Sequence, residues 1–83
     1  MQPRTTRRGR KPDAATQKQL GQNIRTRREQ DELTQEDLAA ACDLHPTEIG
    51  RLERGERDVR LSTLLRVARG LRIAPRDLLD GIR

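Results

Sequence analysis

In the segment HPTEIGRLERGER, Thr47, Gly50, Arg51 and Arg54 stand at i, i+3, i+4 and i+7. On a helix that spacing lines them up as one stripe, small at its first end and cationic at the other. Ile49 and Leu52 fall on the opposite face and can anchor the helix in a core. Each guanidinium offers a planar fork of donors that fits a phosphate, or the O6 and N7 edge of guanine. Small residues beside it let a backbone come close to another surface. On charge alone such a stripe is an ordinary solvated face, so the elements that position it decide the reading.

Two helix starts lie eleven residues apart. Thr34 is a capping residue with Asp37 three positions on, and Leu33 and Leu38 bracket them as a hydrophobic staple. Leu44 and Ile49 repeat the five-residue spacing around His45, with Pro46 at the first helical position, where its missing N–H is no loss, and Glu48 at the third. The first helix therefore runs from about Gln35 to Cys42 and the second starts at Pro46. Nothing between them reads as a strand. Two short helices joined by a tight turn at Asp43 make a helix-turn-helix unit.

Composition narrows the classes further. Eighty-three residues make one small domain with a modest core. No Phe, Tyr or Trp is present, which argues against modules that stack single-stranded bases on exposed rings. One Cys and one His cannot build a zinc site or an internal disulfide. Cys42 reads as a small core residue. There is no nucleophile with a His base and no phosphate-cradling Gly loop after a strand, so an enzyme is not expected, nor a metal, cofactor or small-molecule ligand. No apolar run approaches the roughly 20 residues that span a bilayer, and no signal peptide is visible, so a cytoplasmic protein is expected.

The net charge is +5 and it is concentrated. Residues 1–12 hold Arg4, Arg7, Arg8, Arg10 and Lys11 without an acid, whereas from Asp13 onward thirteen basic and thirteen acidic residues cancel. The expected organisation is a basic, disordered N-terminal arm over 1–12 and a folded domain over 13–83. Asp13 reads as the cap of a first helix that carries Leu20 and Ile24 and ends near Gln30. After the two short helices, Gly55 closes the second. A fourth helix is expected to bury Leu61, Leu64, Leu65, Ala68 and Leu71 on one face, with Gly70 near its end. Ile73 and Leu78 form a third staple around a last turn starting at Pro75. The fold class is all-α, a compact bundle of about five short helices.

In order and spacing, LGQNIRTRRE, LTQEDLAAACDL, IGRLERGER and LSTLLRVARGLRIAPRDLL resemble the Cro/lambda-repressor-like, or Xre, family of helix-turn-helix regulators, from about Leu20 to Leu79. Some positions depart from that family. Glu32, Asp43 and Arg72 stand where it usually has Gly, which puts the shape of those turns in question, because Glu and Arg adopt left-handed backbone less readily than Asp. His45 and Arg60 replace the usual Ser or Thr caps, at about 1 kcal/mol each.

The resemblance implies an all-α DNA-binding domain whose second helix-turn-helix element, about Pro46 to Arg54, enters the major groove. Pro46, Thr47 and Arg51 match the family's base-reading positions, and Gln35 matches a phosphate contact at the start of the preceding helix. The chemistry of the residues is compatible. Arg51 can donate twice to guanine, Thr47 can touch a thymine methyl or a base edge, and Pro46 offers apolar contact only. Free N–H groups beside the Gln35 amide make an anion site. Gly50 permits close approach, Arg54 adds a cation, and His45 is a candidate phosphate donor. Glu53, four residues after Ile49, faces inward and needs a partner. Arg28 matches the family's partner for it, in a structural ion pair. In the arm, RRGRKP resembles the core of AT-hook peptides, so Arg7, Arg8 and Arg10 are candidates for the minor groove.

The sequence therefore leads to a sequence-specific regulator of transcription on double-stranded DNA, a repressor in the simplest case, bound as a homodimer to a two-fold operator. The chain ends soon after its fifth helix, so occupancy alone or a partner would do the regulating. The rival from another class is a protein-binding helix-turn-helix module, such as an antitoxin or a bridging factor. The basic arm favours the polyanion.

Overall fold

A computed structural model describes residues 14–83, and these form five helices: α1 (Ala14–Gln30), α2 (Gln35–Cys42), α3 (Pro46–Glu53), α4 (Leu61–Leu71) and α5 (Pro75–Leu78). The arm, with Arg7, Arg8 and Arg10, and the Asp13 cap lie outside the described residues. Among the described residues there is no strand, and no helix is long and apolar enough to cross a membrane. The principal packing is α2 on α4, with α3 held between α1 and α2.

The staples are present as residues on the core. Leu38, Ile49 and Leu78 are fully buried, and Leu33, Leu44 and Ile73 pack against the core from the preceding turns. The Thr34 hydroxyl accepts from the Asp37 N–H at 3.0 Å and the Asp37 carboxylate accepts from the Thr34 N–H at 2.9 Å, closing a reciprocal box at the start of α2. Hydrogen bonding from Thr34, first by its backbone N–H and then by its side chain, holds the Asp37 carboxyl below the usual aspartate range. At α5 only half of such a box exists, the Ala74 N–H donating to Asp77. Arg60 makes no side-chain cap for α4.

The turns are not reshaped by the missing glycines. Glu32, Asp43 and Arg72 each adopt left-handed backbone, all at φ 59°. In each turn the left-handed residue and the apolar residue after it donate back into the helix, as in Leu33 N–H to the Arg28 carbonyl at 3.0 Å and Leu44 N–H to the Ala39 carbonyl at 2.9 Å. Arg72 and Ile73 close α4 in the same way. These paired bonds satisfy the orphan carbonyls of a helix end. Each then delivers an apolar residue to the core as the outer half of the next staple. Satisfied backbone and apolar burial together outweigh the intrinsic penalty of about 1–2 kcal/mol for a left-handed non-glycine residue.

Two expectations for α4 are corrected. Leu61 is not in the core: it is 70% exposed, because the buried stripe begins one turn later and runs Leu64, Val67, Ala68, Leu71; Leu65, also expected in the core, lies beside that stripe and is only half-buried. Val67 belongs to that stripe and was not singled out from the pattern. Gly70 lies near the end of the helix, as expected, one residue before Leu71; a Cβ there would press on the Cys42 sulfur, so the glycine lets α4 lie close on α2. Cys42 itself is 3% exposed, and burial pushes its thiol up to about 11, which leaves it protonated and inert.

Candidate nucleic-acid interface

The placement of α3 is over-determined. Its apolar side, Ile49 and Leu52, is buried. Its C-terminal turn rests directly on α1 at Gly21, where a Cβ would collide with the carbonyl oxygens of Leu52 and Glu53. An isolated glycine in the middle of a helical pattern is the sequence sign of such a contact, although it does not name the partner.

Two turns further along α1, Arg28 reaches Glu53. Its Nε donates to Oε2 at 2.6 Å and its Nη2 to Oε1 at 3.0 Å, with side-chain exposures of 11% for the arginine and 3% for the glutamate. The third arm, Nη1, donates to the Leu33 carbonyl at 2.7 Å. Hydrogen bonding to Glu53 raises the Arg28 pKa, so the guanidinium stays charged. Gln35 completes the group by donating its amide to Glu53 Oε1 at 3.1 Å. One buried carboxylate thus joins α1, the turn into α2, α2 itself and α3. The Gln35 link to Glu53 is not among the sequence expectations, which place its amide only at an anion site.

On the other side, Thr47, Arg51 and Arg54 are exposed, and His45 with them. The helix ends at Glu53, one residue before the expected Arg54. At eight residues it is about 12 Å long, close to the roughly 12 Å width of a B-DNA major groove. Pro46 is half-buried and borders an open depression, lined also by Arg28, Thr34, Gln35, Glu36 and Thr47, where the N-termini of α2 and α3 converge. The first N–H groups of α2, on Gln35 and Glu36, have no intrahelical partner and remain available to an anion.

Three residues are placed differently from the expectation. His45 is a working cap: its Nδ1 accepts from the Thr47 N–H at 3.1 Å. With Nδ1 accepting, the proton of the neutral ring lies on Nε2, which is the free donor. Gly50 is buried, with the Gln35 amide and the Arg54 Nη1 lying where a Cβ would meet them at 3.6 and 3.1 Å. The room it leaves is filled from within the protein. Arg54 is engaged by Glu56, Nε to Oε2 at 2.8 Å and Nη2 to Oε1 at 3.3 Å. The Arg51 side chain forms no hydrogen bond or ion pair among the described residues.

Comparison with known proteins gives the architecture its relatives. Control protein C.BamHI of Bacillus amyloliquefaciens is 43% identical over 62 residues, covering 74% of this chain and 76% of that protein. Control protein C.SmaI of Serratia marcescens is 48% identical over 52 residues, and the match spans 63% of this chain and 62% of the relative. The crystal structure of the restriction-modification controller protein C.AhdI from Aeromonas hydrophila superposes with a TM-score of 0.76 at 39% identity, covering 77% of this chain and 97% of that one. The helix-turn-helix family HTH_3 matches residues 24–78, from the core residue of α1 to that of α5 and across both capped turns, and the chain belongs to that family.

Proposed function

We propose that this protein is a sequence-specific regulator of transcription on double-stranded DNA, a cytoplasmic controller of the restriction-modification kind, which represses by occupying its operator as a homodimer. The observation that carries the reading is α3: its apolar face is fixed from behind by Gly21 and Glu53, while Thr47 and Arg51 project from it unpaired. Phosphate contacts come from the N-terminus of α2, the Gln35 amide and His45 Nε2. Base reading falls to Arg51 and Thr47, with Pro46 as an apolar contact.

A single α3 covers only a half-site. Two copies related by a two-fold axis should bind repeats about 10 bp apart or a multiple of that. Leu61 and Leu79, 70% and 41% exposed at the start of α4 and just beyond α5, supply apolar surface for self-association. Selection from random duplexes, followed by titration at two salt concentrations, tests the reading. Arg51→Ala should weaken the selected site by about 1–3 kcal/mol and leave random DNA nearly unchanged. Equal losses on both DNAs would make Arg51 a phosphate contact, and absence of duplex binding by the unaltered protein would overturn the function.

A further inference from the structure

Glu56 stands out among the charged groups of this face because its position opposes the local electrostatics. It follows the C-terminal end of α3, where the helix dipole disfavours an acid. It is not incidental to the turn either. Gly55, at φ 72°, reverses the backbone, and the Glu56 N–H donates to the Arg51 carbonyl at 3.0 Å. This bond closes the helix and turns the Glu56 side chain back over the last turn, against the Arg54 guanidinium. The resulting pair is two-pointed yet exposed, 58% for Arg54 and 52% for Glu56. Exposed pairs of this kind add little to folding stability. Its effect must be sought in charge at the surface.

We propose that Glu56 is a specificity-determining residue of the DNA face: by holding Arg54 in a two-point ion pair it withdraws a cation that would grip phosphates on any duplex, and leaves Arg51 as the unpaired cation of the stripe. The inference rests on the DNA-binding reading above. Arg54 lies at the far end of a helix that enters the groove with its N-terminal residues first, so its natural target is the sugar-phosphate wall. A phosphate contact strengthens binding to every sequence, whereas a base contact from Arg51 strengthens binding to one. On random DNA no base contact fixes the register, and a freed Arg54 can seek the nearest phosphate. On the specific site α3 is held in one orientation and a freed Arg54 gains less. Hydrogen bonding to Arg54, reinforced by the charges of Arg54 and Arg51, keeps the Glu56 carboxyl below its ordinary range, so the carboxylate persists at neutral pH.

The test compares the unaltered protein, Glu56→Gln, Arg54→Ala and the double variant by titration of a selected site and of random duplex from 50 to 200 mM salt, with thermal unfolding as a check on folding. Glu56→Gln should bind random DNA more tightly, with the slope of log affinity against log salt steeper by up to about 0.9, so that the gain shrinks about 3.5-fold over that salt range. The ratio of specific to random affinity should fall. In the Arg54→Ala background the same Glu56→Gln change should alter the slope much less. An unchanged slope, an equal gain on both DNAs, or an equal increment with and without Arg54 would each overturn the proposal. Failure of the unaltered protein to bind duplex would instead remove the function on which it rests.

Discussion

Replacing Arg28 by Ala should be among the most damaging truncations of a charged side chain in this domain. Glu53 is 3% exposed and accepts three hydrogen bonds, two of them from Arg28. Without Arg28 the carboxylate keeps only the Gln35 amide. Breaking one side of a buried pair costs about 3–5 kcal/mol, because the remaining charge is left desolvated. The lost bond to the Leu33 carbonyl adds about 1 kcal/mol. A single core of this size supplies only about 3–5 kcal/mol in total, so Arg28→Ala should lie at the edge of unfolding at 25 °C. At about 4–8 °C per kcal/mol the melting midpoint should drop by roughly 16 °C or more. Urea titrations followed by circular dichroism, with an osmolyte to extend the folded baseline, measure it. Arg28→Met with Glu53→Leu should be far less damaging than the sum of the single changes, since an apolar pair carries no stranded charge. A loss below about 1 kcal/mol for Arg28→Ala, or strict additivity in the double variant, would refute the reasoning.

Three further outcomes follow from other parts of the structure. Gly21→Ala gains about 1 kcal/mol of helix propensity, but its methyl meets backbone carbonyls that cannot rotate away, so a net loss of about 1–3 kcal/mol in chemical denaturation is expected; net stabilisation would show that α1 and α3 separate freely. Arg72→Gly and Glu32→Gly should each stabilise by about 1 kcal/mol, since the left-handed backbone is already adopted; a loss in either would mean that the side chain contributes more than its strain. For Asp37, whose carboxyl titrates below the ordinary aspartate range in the folded state, the contribution is fully present above the ordinary range and is lost as pH falls through the lowered value; carboxyl NMR titration should place its midpoint below that of exposed aspartates, and Thr34→Ala should raise it.

Much of this fold was legible because its decisive signals are local. A cap, an acid three residues on and a five-residue apolar bracket occur within six positions, and they place the starts of α2, α3 and α5 at Gln35, Pro46 and Pro75. What failed in the reading failed for physical reasons. The left-handed turns at Glu32 and Arg72 persist because burial of Leu33 and Ile73 and the closing backbone bonds override residue preference, and neither effect is visible in a preference. Leu61 continues the apolar periodicity of α4 past the edge of the core, and periodicity does not say where a core stops. The contact of Gly21 with α3, and the Asn23 amide that donates to the Leu78 and Asp80 carbonyls at 2.8 Å, join residues 31 to 57 positions apart. No local pattern names such partners. At the site, the inward direction of Glu53 followed from helix geometry, while its pairing with Arg28 came from the family resemblance alone.

The same network that fixes the fold limits how the site can act. Gln35 donates to Glu53 with one amide hydrogen and retains the other and its oxygen, so the side chain expected at a phosphate is also part of the buried group that positions α3. Position and contact are therefore coupled at this residue. Gln35→Ala should cost about 1 kcal/mol of stability and also loosen α3, whereas the side chains of Thr47 and Arg51 make no hydrogen bond or ion pair that holds the helix, so on the proposed reading their substitution should change what is read without changing where it is read. From Asp13 onward the charges cancel, and Arg54 is offset by Glu56, so general attraction to DNA from the described domain is weak. On the proposed reading, recognition rests on the geometry of α3 and long-range attraction on the five cations of residues 1–12. If two or three of the arm's five cations meet phosphates, deletion of residues 1–12 should lower the salt slope by roughly 2–3 units. It should weaken sites flanked by A·T more than sites flanked by G·C if Arg8 and Arg10 enter a narrow minor groove. Measured on both flanks across salt, an unchanged slope would leave the arm a spectator and place the whole of binding on α2 and α3.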